Sequence, residues 1–247
     1  MIFFAADVHL GLAAGDPAER EARFVAWLRS LLHRPGTEGL YLLGDIWDFW
    51  YEYRDVIPRE GVRVIAAITD LLDAGIPVYY IPGNHDVWLY SFWQNLGVKV
   101  IQQPYRVELQ GKSLLLGHGD GLAPSSKSYD FMLKVFHNRL CQKLFSTLHP
   151  WIAFGLAKKW SNSSRESHSH YQFNGVDEPL YRYCLKACAE RHTDYCIFGH
   201  FHNAVDMPVR TGEIWPGASR LVILKDWITG GEPHAELEGG ELSVFVR

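Results

Sequence analysis

The sequence has few of the features that mark secreted or membrane-spanning proteins. Its 247 residues include four cysteines, no two of which form a C-x-x-C pair, so buried reduced thiols are expected rather than a disulfide framework or a zinc site. The first apolar run, 2–6, stops at Asp7 without a basic segment before it, and no run approaches the roughly 20 apolar residues of a membrane-spanning helix. We therefore expect a cytoplasmic chain without a leader.

A strong excess of charge is also absent. The formal net charge is -4, which gives no reason to expect a nucleic-acid partner, and no pattern predicts a protein partner. Hydrophobic residues make up 47% of the chain and aromatic residues 14%. The first value supports an ordinary core in a single domain over 1–247. The second fits either a large aromatic core or a surface that meets lipid.

Strand and helix patterns alternate in the first third of the chain. Buried strands are predicted over 2–6, 40–43 and 76–81, and helices are predicted to begin at Asp16 and near Glu60. This alternation is typical of a parallel α/β sheet. Later strand patterns, separated by one helical pattern over 177–191, indicate a second sheet, so two sheets flanked by helices are expected.

The segment 127–165 differs from the rest of the chain. It contains seven Lys and Arg residues and a single acidic residue, Asp130. Apolar residues recur every four positions from Met132 to Leu148, which predicts one long helix, and Pro150 is expected to open a second. We interpret 122–170 as a helical insertion, or cap, that meets lipid or a membrane surface; packing on the core with solvated lysines is the alternative.

Five short polar motifs each follow an apolar run that is predicted to be a strand. Ligands of α/β proteins gather beyond the carboxyl ends of strands, and Asp, His and Asn together suit Mn²⁺, Fe²⁺, Zn²⁺ or Mg²⁺. Seven candidate ligands are too many for one ion and suit two ions that share a bridging ligand. The motifs are Asp7-Val8-His9, Gly44-Asp45-Ile46-Trp47-Asp48, Gly83-Asn84-His85-Asp86, Gly117-His118-Gly119-Asp120 and Gly199-His200-Phe201-His202.

In this order the motifs resemble those of the calcineurin-like metallophosphoesterases. The resemblance implies a four-layer αββα sandwich with two divalent ions, of which Mn²⁺ is the preferred assignment, with Fe²⁺, Zn²⁺ or Mg²⁺ as alternatives. It implies that Asp45 bridges the two ions. By the same resemblance the first ion is held by Asp7, His9, Asp45 and His202, and the second by Asp45, Asn84, His118 and His200.

The resemblance also implies the chemistry. Two divalent ions activate a hydroxide that attacks phosphorus and clamp the phosphoryl group. His85 is expected to stabilise charge and assist the leaving oxygen, and Asp48 is expected to orient His85 by a hydrogen bond.

Within that family the chain resembles most the UDP-2,3-diacylglucosamine hydrolases of the bacterial lipid A pathway. The features that carry this are the aromatic residues after Asp45, the Gly-His-Gly-Asp variant followed by Tyr129, and the basic insertion that ends in SNSSRES. The implied reaction releases UMP and 2,3-diacylglucosamine 1-phosphate. The sequence departs from the best-known members at His85 and Asp48, where those have Arg and Glu.

A nucleotide-linked glycolipid is therefore the expected substrate, at the cytoplasmic face of the inner membrane. Trp47 and Phe49 are expected to shield the ions, and Trp50, Tyr51 and Tyr53 to line the path of the lipid. A dinucleotide polyphosphate, a phosphodiester or a phosphoprotein remains an alternative substrate, and a non-catalytic metal-binding scaffold is a further alternative. The expected substrate-binding residues are Asn84, His85, Tyr129, Lys158, Lys159, Ser164 and Arg165.

Overall fold

Two β-sheets form the centre of the molecule. The computed structural model describes residues 1–124, 126–157, 173–210 and 219–247; Lys158, Lys159, Ser164 and Arg165 lie outside these ranges. The strands within them are β1 (Ile2–Ala5), β2 (Gly39–Leu43), β3 (Val78–Ile81), β4 (Lys99–Val100), β5 (Tyr105–Leu109), β6 (Lys112–Leu116), β7 (Tyr195–Phe198), β8 (Val205–Val209), β9 (Ser219–Ile223), β10 (His234–Glu238) and β11 (Glu241–Phe245).

Six α-helices and two short 3-10 helices, Leu31–His33 and Gly175–Asp177, connect or flank these strands in the described residues, and 150–157 are helical as well. The first begins where its capping signal predicts, because the Asp16 carboxylate accepts hydrogen bonds from the backbone N–H groups of Ala18 and Glu19, both at 3.0 Å. The helices are α1 (Pro17–Ser30), α2 (Val62–Asp73), α3 (Phe92–Leu96), α4 (Lys127–His137), α5 (Arg139–Phe145) and α6 (Pro179–Glu190).

Both sheets are built around parallel strands. The first has the order β11-β10-β1-β2-β3-β4, with β1 to β4 parallel and β10 and β11 antiparallel. The second has the order β5-β6-β7-β9-β8, with β6, β7 and β9 parallel. The loops that follow these parallel strands leave from the carboxyl ends of the strands, where ligand sites of α/β proteins form.

Three apolar clusters show that the molecule has four layers. Phe24 and Ile68, on α1 and α2, pack with Leu42 of the first sheet. Residues such as Phe4 and Leu116 fill the space between the two sheets. The third cluster joins the second sheet to α6 and contains three of the four free cysteines. The predicted αββα sandwich is therefore confirmed.

The described part of the insertion is helical, but the predicted long helix is divided in two. The expectation of one helix from Met132 to Leu148 is wrong, because the backbone is extended at Asn138, which separates α4 from α5. The Asn138 side chain instead accepts hydrogen bonds from the N–H groups of Leu140 (2.9 Å) and Cys141 (3.1 Å), which makes it the N-cap of α5. Among the described residues, every helix is too short or too polar to cross a lipid bilayer.

The aromatic residues after Asp45 divide between the core and the insertion. Trp50 is fully buried against Trp47 and Trp93 in the core on the α1–α2 side, so the expectation that Trp50 lines a lipid path is wrong. Tyr51 instead packs on the insertion: its hydroxyl donates to the Gln142 carbonyl at 2.9 Å, and its ring lies 5.0 Å from that of Phe145.

Replacement of Trp50 by Ala should lower the free energy of unfolding by about 3–5 kcal/mol, because a fully packed indole leaves a cavity. Trp151 is the matched control, since its side chain is 80% exposed and Trp151→Ala should change stability by less than about 0.5 kcal/mol. Chemical denaturation of both variants measures this. Equal losses would show that the two indoles are equally packed.

Candidate metal centre

The seven predicted ligands follow the carboxyl ends of strands from both sheets. Asp7 and His9 follow β1, Asp45 follows β2 and Asn84 follows β3; His118 follows β6, and His200 and His202 follow β7. Main-chain hydrogen bonds continue between β1 and β2 into the loops: the N–H of Asp7 donates to the Gly44 carbonyl at 3.1 Å and that of His9 to the Asp45 carbonyl at 2.9 Å. The sheet therefore sets the spacing of the first ligands.

Three groups of side chains each offer ligand atoms within 4.8 Å of one another: Asp7, His9 and His202; His9, Asp45 and His85; and Asp45, His118 and His200. The first and the third contain residues of the two expected ion sites, and the second connects them. Asp45 Oδ2 lies 3.2 Å from His118 Nε2 and 3.9 Å from His9 Nε2. The Asp45 carboxylate therefore stands between the groups, as a bridging ligand must.

The backbone of this region is strained. Left-handed conformations are unfavourable for residues other than glycine and persist where the surroundings enforce them, most often at functional sites. Here they occur at five of the seven predicted ligands. The φ angles are 53° at Asp7, 51° at His9, 53° at Asp45, 73° at His200 and 57° at His202.

Two motif glycines allow the close packing of the carboxylates. A Cβ atom on Gly83 would overlap the Asp45 carboxylate, and one on Gly199 would overlap the Asp7 carboxylate. Only glycine leaves room for these approaches.

The Asp86 carboxylate holds the loops after β2 and β3 together. It is fully buried and accepts hydrogen bonds from the N–H groups of Asp45 (3.2 Å), Ile46 (2.8 Å) and Gly83 (2.7 Å), and from the Tyr80 hydroxyl. Burial and the nearby Asp45 raise the pKa of Asp86 to about 6. Asp86 is the last residue of the Gly-Asn-His-Asp motif, so the sequence marked it as a candidate. The motif alone did not indicate which groups donate hydrogen bonds to it.

Gln103 holds the loop that carries His118. Its Oε1 accepts from the N–H groups of His118 (2.8 Å) and Gly119 (3.0 Å), while its Nε2 donates to Asp120 Oδ1 at 2.7 Å. No pattern around Gln103 points to this role.

Asp226 supports the ligands that follow β1 and β7. Its Oδ2 lies 3.7 Å from His202 Nδ1, and the N–H of the next residue, Trp227, donates to the Asp7 carbonyl at 3.1 Å. Asp226 was not predicted, and its only sequence signal is a buried strand just before it.

Asp48 contacts His85 through its backbone carbonyl, whereas a hydrogen bond from its side chain was expected. His85 Nδ1 lies 2.9 Å from the backbone carbonyl oxygen of Asp48, whereas the Asp48 carboxylate lies 3.7 Å from that nitrogen and 3.4 Å from His9 Nδ1. The N–H of His85 donates to Asp45 Oδ1 at 2.9 Å. His85 is therefore fixed beside the ligands, with its ring held by the main chain.

The charges of the site depend on one another. Burial acts to raise the pKa of Asp45, but the positive charge of His118, with His85 and His9, holds it well below its ordinary value. Burial acts to lower the pKa of His118, yet Asp45 and Asp7 hold it well above its ordinary value. Burial and the charge of His118 lower the pKa of His200 to about 3. These buried carboxylates therefore attract positive charge into the site.

The donor atoms fit divalent ions. Asp7 Oδ1 and Asn84 Oδ1 are buried and have no hydrogen-bond partner among the described residues. Buried polar atoms normally have a partner, and carboxylate and amide oxygens beside imidazole nitrogens are suitable ligands for Mn²⁺, Fe²⁺ or Zn²⁺.

An apolar cavity of about 190 Å³ lies beside the metal centre. Two predicted substrate-binding residues, Asn84 and His85, form its polar end. A third, Tyr129, lies on α4 with its ring 6.4 Å from that of His200, and its buried hydroxyl has no hydrogen-bond partner in the described part of the chain. The other lining residues are Phe49, Val87, Trp88, Met132, Phe136, Phe145, Leu156 and Ala157.

Comparison with known proteins agrees with this geometry. A sequence model of the calcineurin-like phosphoesterases matches residues 1–204. The UDP-2,3-diacylglucosamine hydrolase of Porphyromonas gingivalis is 37% identical over 92% of this chain and 90% of that protein. The one from Proteus mirabilis is 31% identical over 81% and 80% of the two chains. The resemblance seen in the motifs is confirmed, and the chain belongs to the calcineurin-like phosphoesterases, a family of metal-dependent hydrolases.

Proposed function

We propose that this enzyme hydrolyses the diphosphate of UDP-2,3-diacylglucosamine to UMP and 2,3-diacylglucosamine 1-phosphate. The observation that carries the proposal is the apolar cavity whose polar end is formed by Asn84 and His85. A substrate that fills both regions must have a phosphate group directly beside a hydrophobic group. The names of the relatives from Porphyromonas gingivalis and Proteus mirabilis support the same substrate.

Two divalent ions complete this site in the proposal, and Mn²⁺ is the preferred assignment. Asp7, His9 and His202 would hold one ion, Asn84, His118 and His200 the other, and Asp45 both. When bound, the ions supply an activated water and neutralise the charge of the phosphoryl group. Proton transfer and binding of the substrate are the proposed roles of the other side chains.

His85 is the proposed acid–base group. A carbonyl oxygen can only accept a hydrogen bond, so the contact of His85 Nδ1 with the Asp48 carbonyl places a proton on Nδ1. The proton exchanged with the substrate would therefore be carried by Nε2. The buried hydroxyl of Tyr129 supplies a further donor for a phosphate oxygen.

The hydrophobic part of the substrate is proposed to lie between the core and the insertion. Phe49 packs against Trp88 (5.7 Å between ring centroids) and against Phe154 (5.3 Å), and Trp88 packs against Phe136 (5.2 Å). Aromatic walls around a mainly apolar space are typical of sites that bind hydrophobic ligands. An acyl chain fits the chemistry of this cavity.

The insertion is also the proposed contact with the membrane, at the cytoplasmic face. Its exposed side chains combine large apolar groups with exposed Lys127, Lys134, Arg139 and Lys143. Such a surface binds anionic lipid headgroups while it buries apolar side chains at the interface. The exposed apolar residues are Phe131, Leu140, Leu144, Trp151, Ile152 and Leu156.

The purified enzyme with Mn²⁺ should release UMP from UDP-2,3-diacylglucosamine, and much more slowly from unacylated UDP-sugars. Asp45→Asn should lower kcat/KM by on the order of 10³-fold, because a bridging ligand supports several kcal/mol of transition-state stabilisation. Chromatography of UMP measures both results. Comparable rates on dinucleotide polyphosphates or phosphopeptides would contradict the proposed substrate.

Phe49→Ala should lower kcat/KM for the acylated substrate by about 10–100-fold, since a buried aromatic contact contributes about 1.5–3 kcal/mol. The rate on a small phosphodiester such as bis(p-nitrophenyl) phosphate should change little. Phe245→Ala is the matched control, because Phe245 lies on β11, is 41% exposed and is not among the residues that line the cavity. Equal losses on both substrates would show that Phe49 supports the metal loops and not the lipid.

The double variant Lys134→Glu/Lys143→Glu should bind anionic vesicles at least about ten-fold more weakly, since each basic residue contributes about 1 kcal/mol near such a surface. Co-sedimentation with vesicles of phosphatidylcholine, with and without phosphatidylglycerol, measures this. Lys186→Glu, on the exposed face of α6, is the control. If the wild type sediments equally with neutral and anionic vesicles, the electrostatic contact is refuted.

A further inference from the structure

The two groups of ligands differ in what lies behind their histidines. In site 1 (Asp7, His9 and His202), the Nε2 atoms of both histidines face Asp7 Oδ1, each at 3.7 Å. The other ring nitrogen of each histidine faces a second carboxylate. His9 Nδ1 lies 3.4 Å from Asp48 Oδ1, and His202 Nδ1 lies 3.7 Å from Asp226 Oδ2.

In site 2 (Asp45, His118 and His200) the second contacts of the histidine rings are a carbonyl group and an imidazole. His118 Nε2 faces Asp45, but its Nδ1 lies 2.9 Å from the neutral carbonyl oxygen of Leu43. The ring of His200 contacts another imidazole, with its Nδ1 3.3 Å from His118 Nε2. The carboxylates that act on His118 are Asp45 first, and then Asp7 and the buried Asp120, whereas Nδ1 of this ring faces a carbonyl oxygen.

A carboxylate behind a metal-binding histidine strengthens the ligand. It fixes the tautomer and the ring orientation and makes the nitrogen that faces the ion more basic, and its loss typically costs 10–100-fold in metal affinity. Asp48 and Asp226 are both about 5% exposed, so water screens their charges only weakly. Asp48 and Asp226 thus place a carboxylate directly behind each histidine of site 1.

Asp226 is held firmly enough to orient His202. Its carboxylate accepts hydrogen bonds from the N–H groups of Ile228 at 2.7 Å and Thr229 at 3.3 Å. The chain is also tied to the site through the hydrogen bond from Trp227 to the Asp7 carbonyl. His202 itself is about one-third exposed, and on its inner side it contacts this carboxylate and stacks on the ring of His9, with 4.9 Å between the ring centroids.

We propose that the two ion sites are unequal: the carboxylates of Asp48 and Asp226 make site 1 the site that takes up the first divalent ion, and Asp226 is the positioning residue for His202. The inference rests on the two-ion arrangement of the proposed function. It adds an order of filling and a role for a residue outside the five motifs.

Titration of the chelator-treated protein with Mn²⁺ tests the proposal. Calorimetry, with electron paramagnetic resonance of the free ion, should resolve two binding steps in the wild type that differ at least about ten-fold in Kd. His9→Ala should remove the tighter step and His118→Ala the weaker one. These two variants assign the steps to the sites.

Asp226→Asn should weaken the tighter step by about 10–100-fold and leave the weaker one within about two-fold. Asp206→Asn is the matched control, because Asp206 is a surface carboxylate on β8 paired with Arg220 and should affect neither step. Thermal unfolding of each metal-free variant checks that the fold is intact. Should Asp226→Asn fail to fold, His202→Gln provides the second variant and should also weaken only the tighter step.

The outcomes separate this inference from the proposed function. Two equal steps in the wild type, or an Asp226→Asn effect confined to the step that His118→Ala removes, would overturn the inequality and leave the hydrolase unaffected. Binding of a single ion per chain would overturn the two-ion arrangement and the order of filling together, even if UMP release persisted.

Discussion

Two buried carboxylates, Asp7 and Asp45, join the two sheets at the metal centre. Both follow strands of the first sheet, yet Asp7 Oδ2 accepts the N–H of His200 at 2.8 Å, and Asp45 Oδ2 lies 3.2 Å from His118 Nε2. His118 and His200 lie in loops that follow strands of the second sheet. A buried charge is costly unless it is paired and hydrogen-bonded. Because the partners of Asp7 and Asp45 come from loops of both sheets, those loops must meet at the two carboxylates.

The metal centre and the apolar cavity are built from the same loops. Asp48 and Phe49 are consecutive, and His85 is followed closely by Val87 and Trp88 in the wall of the cavity. Hydrogen bonds from Trp88 Nε1 to the Phe136 carbonyl (2.9 Å) and from the Tyr51 hydroxyl to the Gln142 carbonyl (2.9 Å) fasten these loops to α4 and α5. The position of the insertion therefore influences the loops that carry His85.

Local patterns in the sequence were enough to predict two sheets flanked by helices and to select the residues that gather at the strand ends, while the family resemblance implied the four-layer sandwich. Each motif is contiguous and follows a strand that its own composition reveals. Gln103 could not be predicted, because it contacts the N–H of His118 from 15 residues away. Asp226 could not be predicted either, because it lies in a different segment of the chain from His202 and no periodic pattern connects the two.

Trp50 was misplaced for a related reason: an aromatic residue in a loop has no periodic pattern to show which side it packs against. At Asn138 the apolar spacing suggested a continuous helix, but the capping side chain competed successfully with it.

The left-handed backbone at five ligands has an evolutionary consequence. Each such residue costs about 1–2 kcal/mol relative to a right-handed conformation, and a domain has a net stability of only about 5–15 kcal/mol. The left-handed residues of the metal-binding loops therefore lower the free energy of unfolding, and packing in the three apolar clusters must offset that loss. Once selection for catalysis is relaxed, glycine or asparagine at these positions would be tolerated and even favoured, because both adopt left-handed conformations more readily. Descendants of this chain that lose activity should thus lose their ligands early while they retain the fold, and would become more stable as they do so.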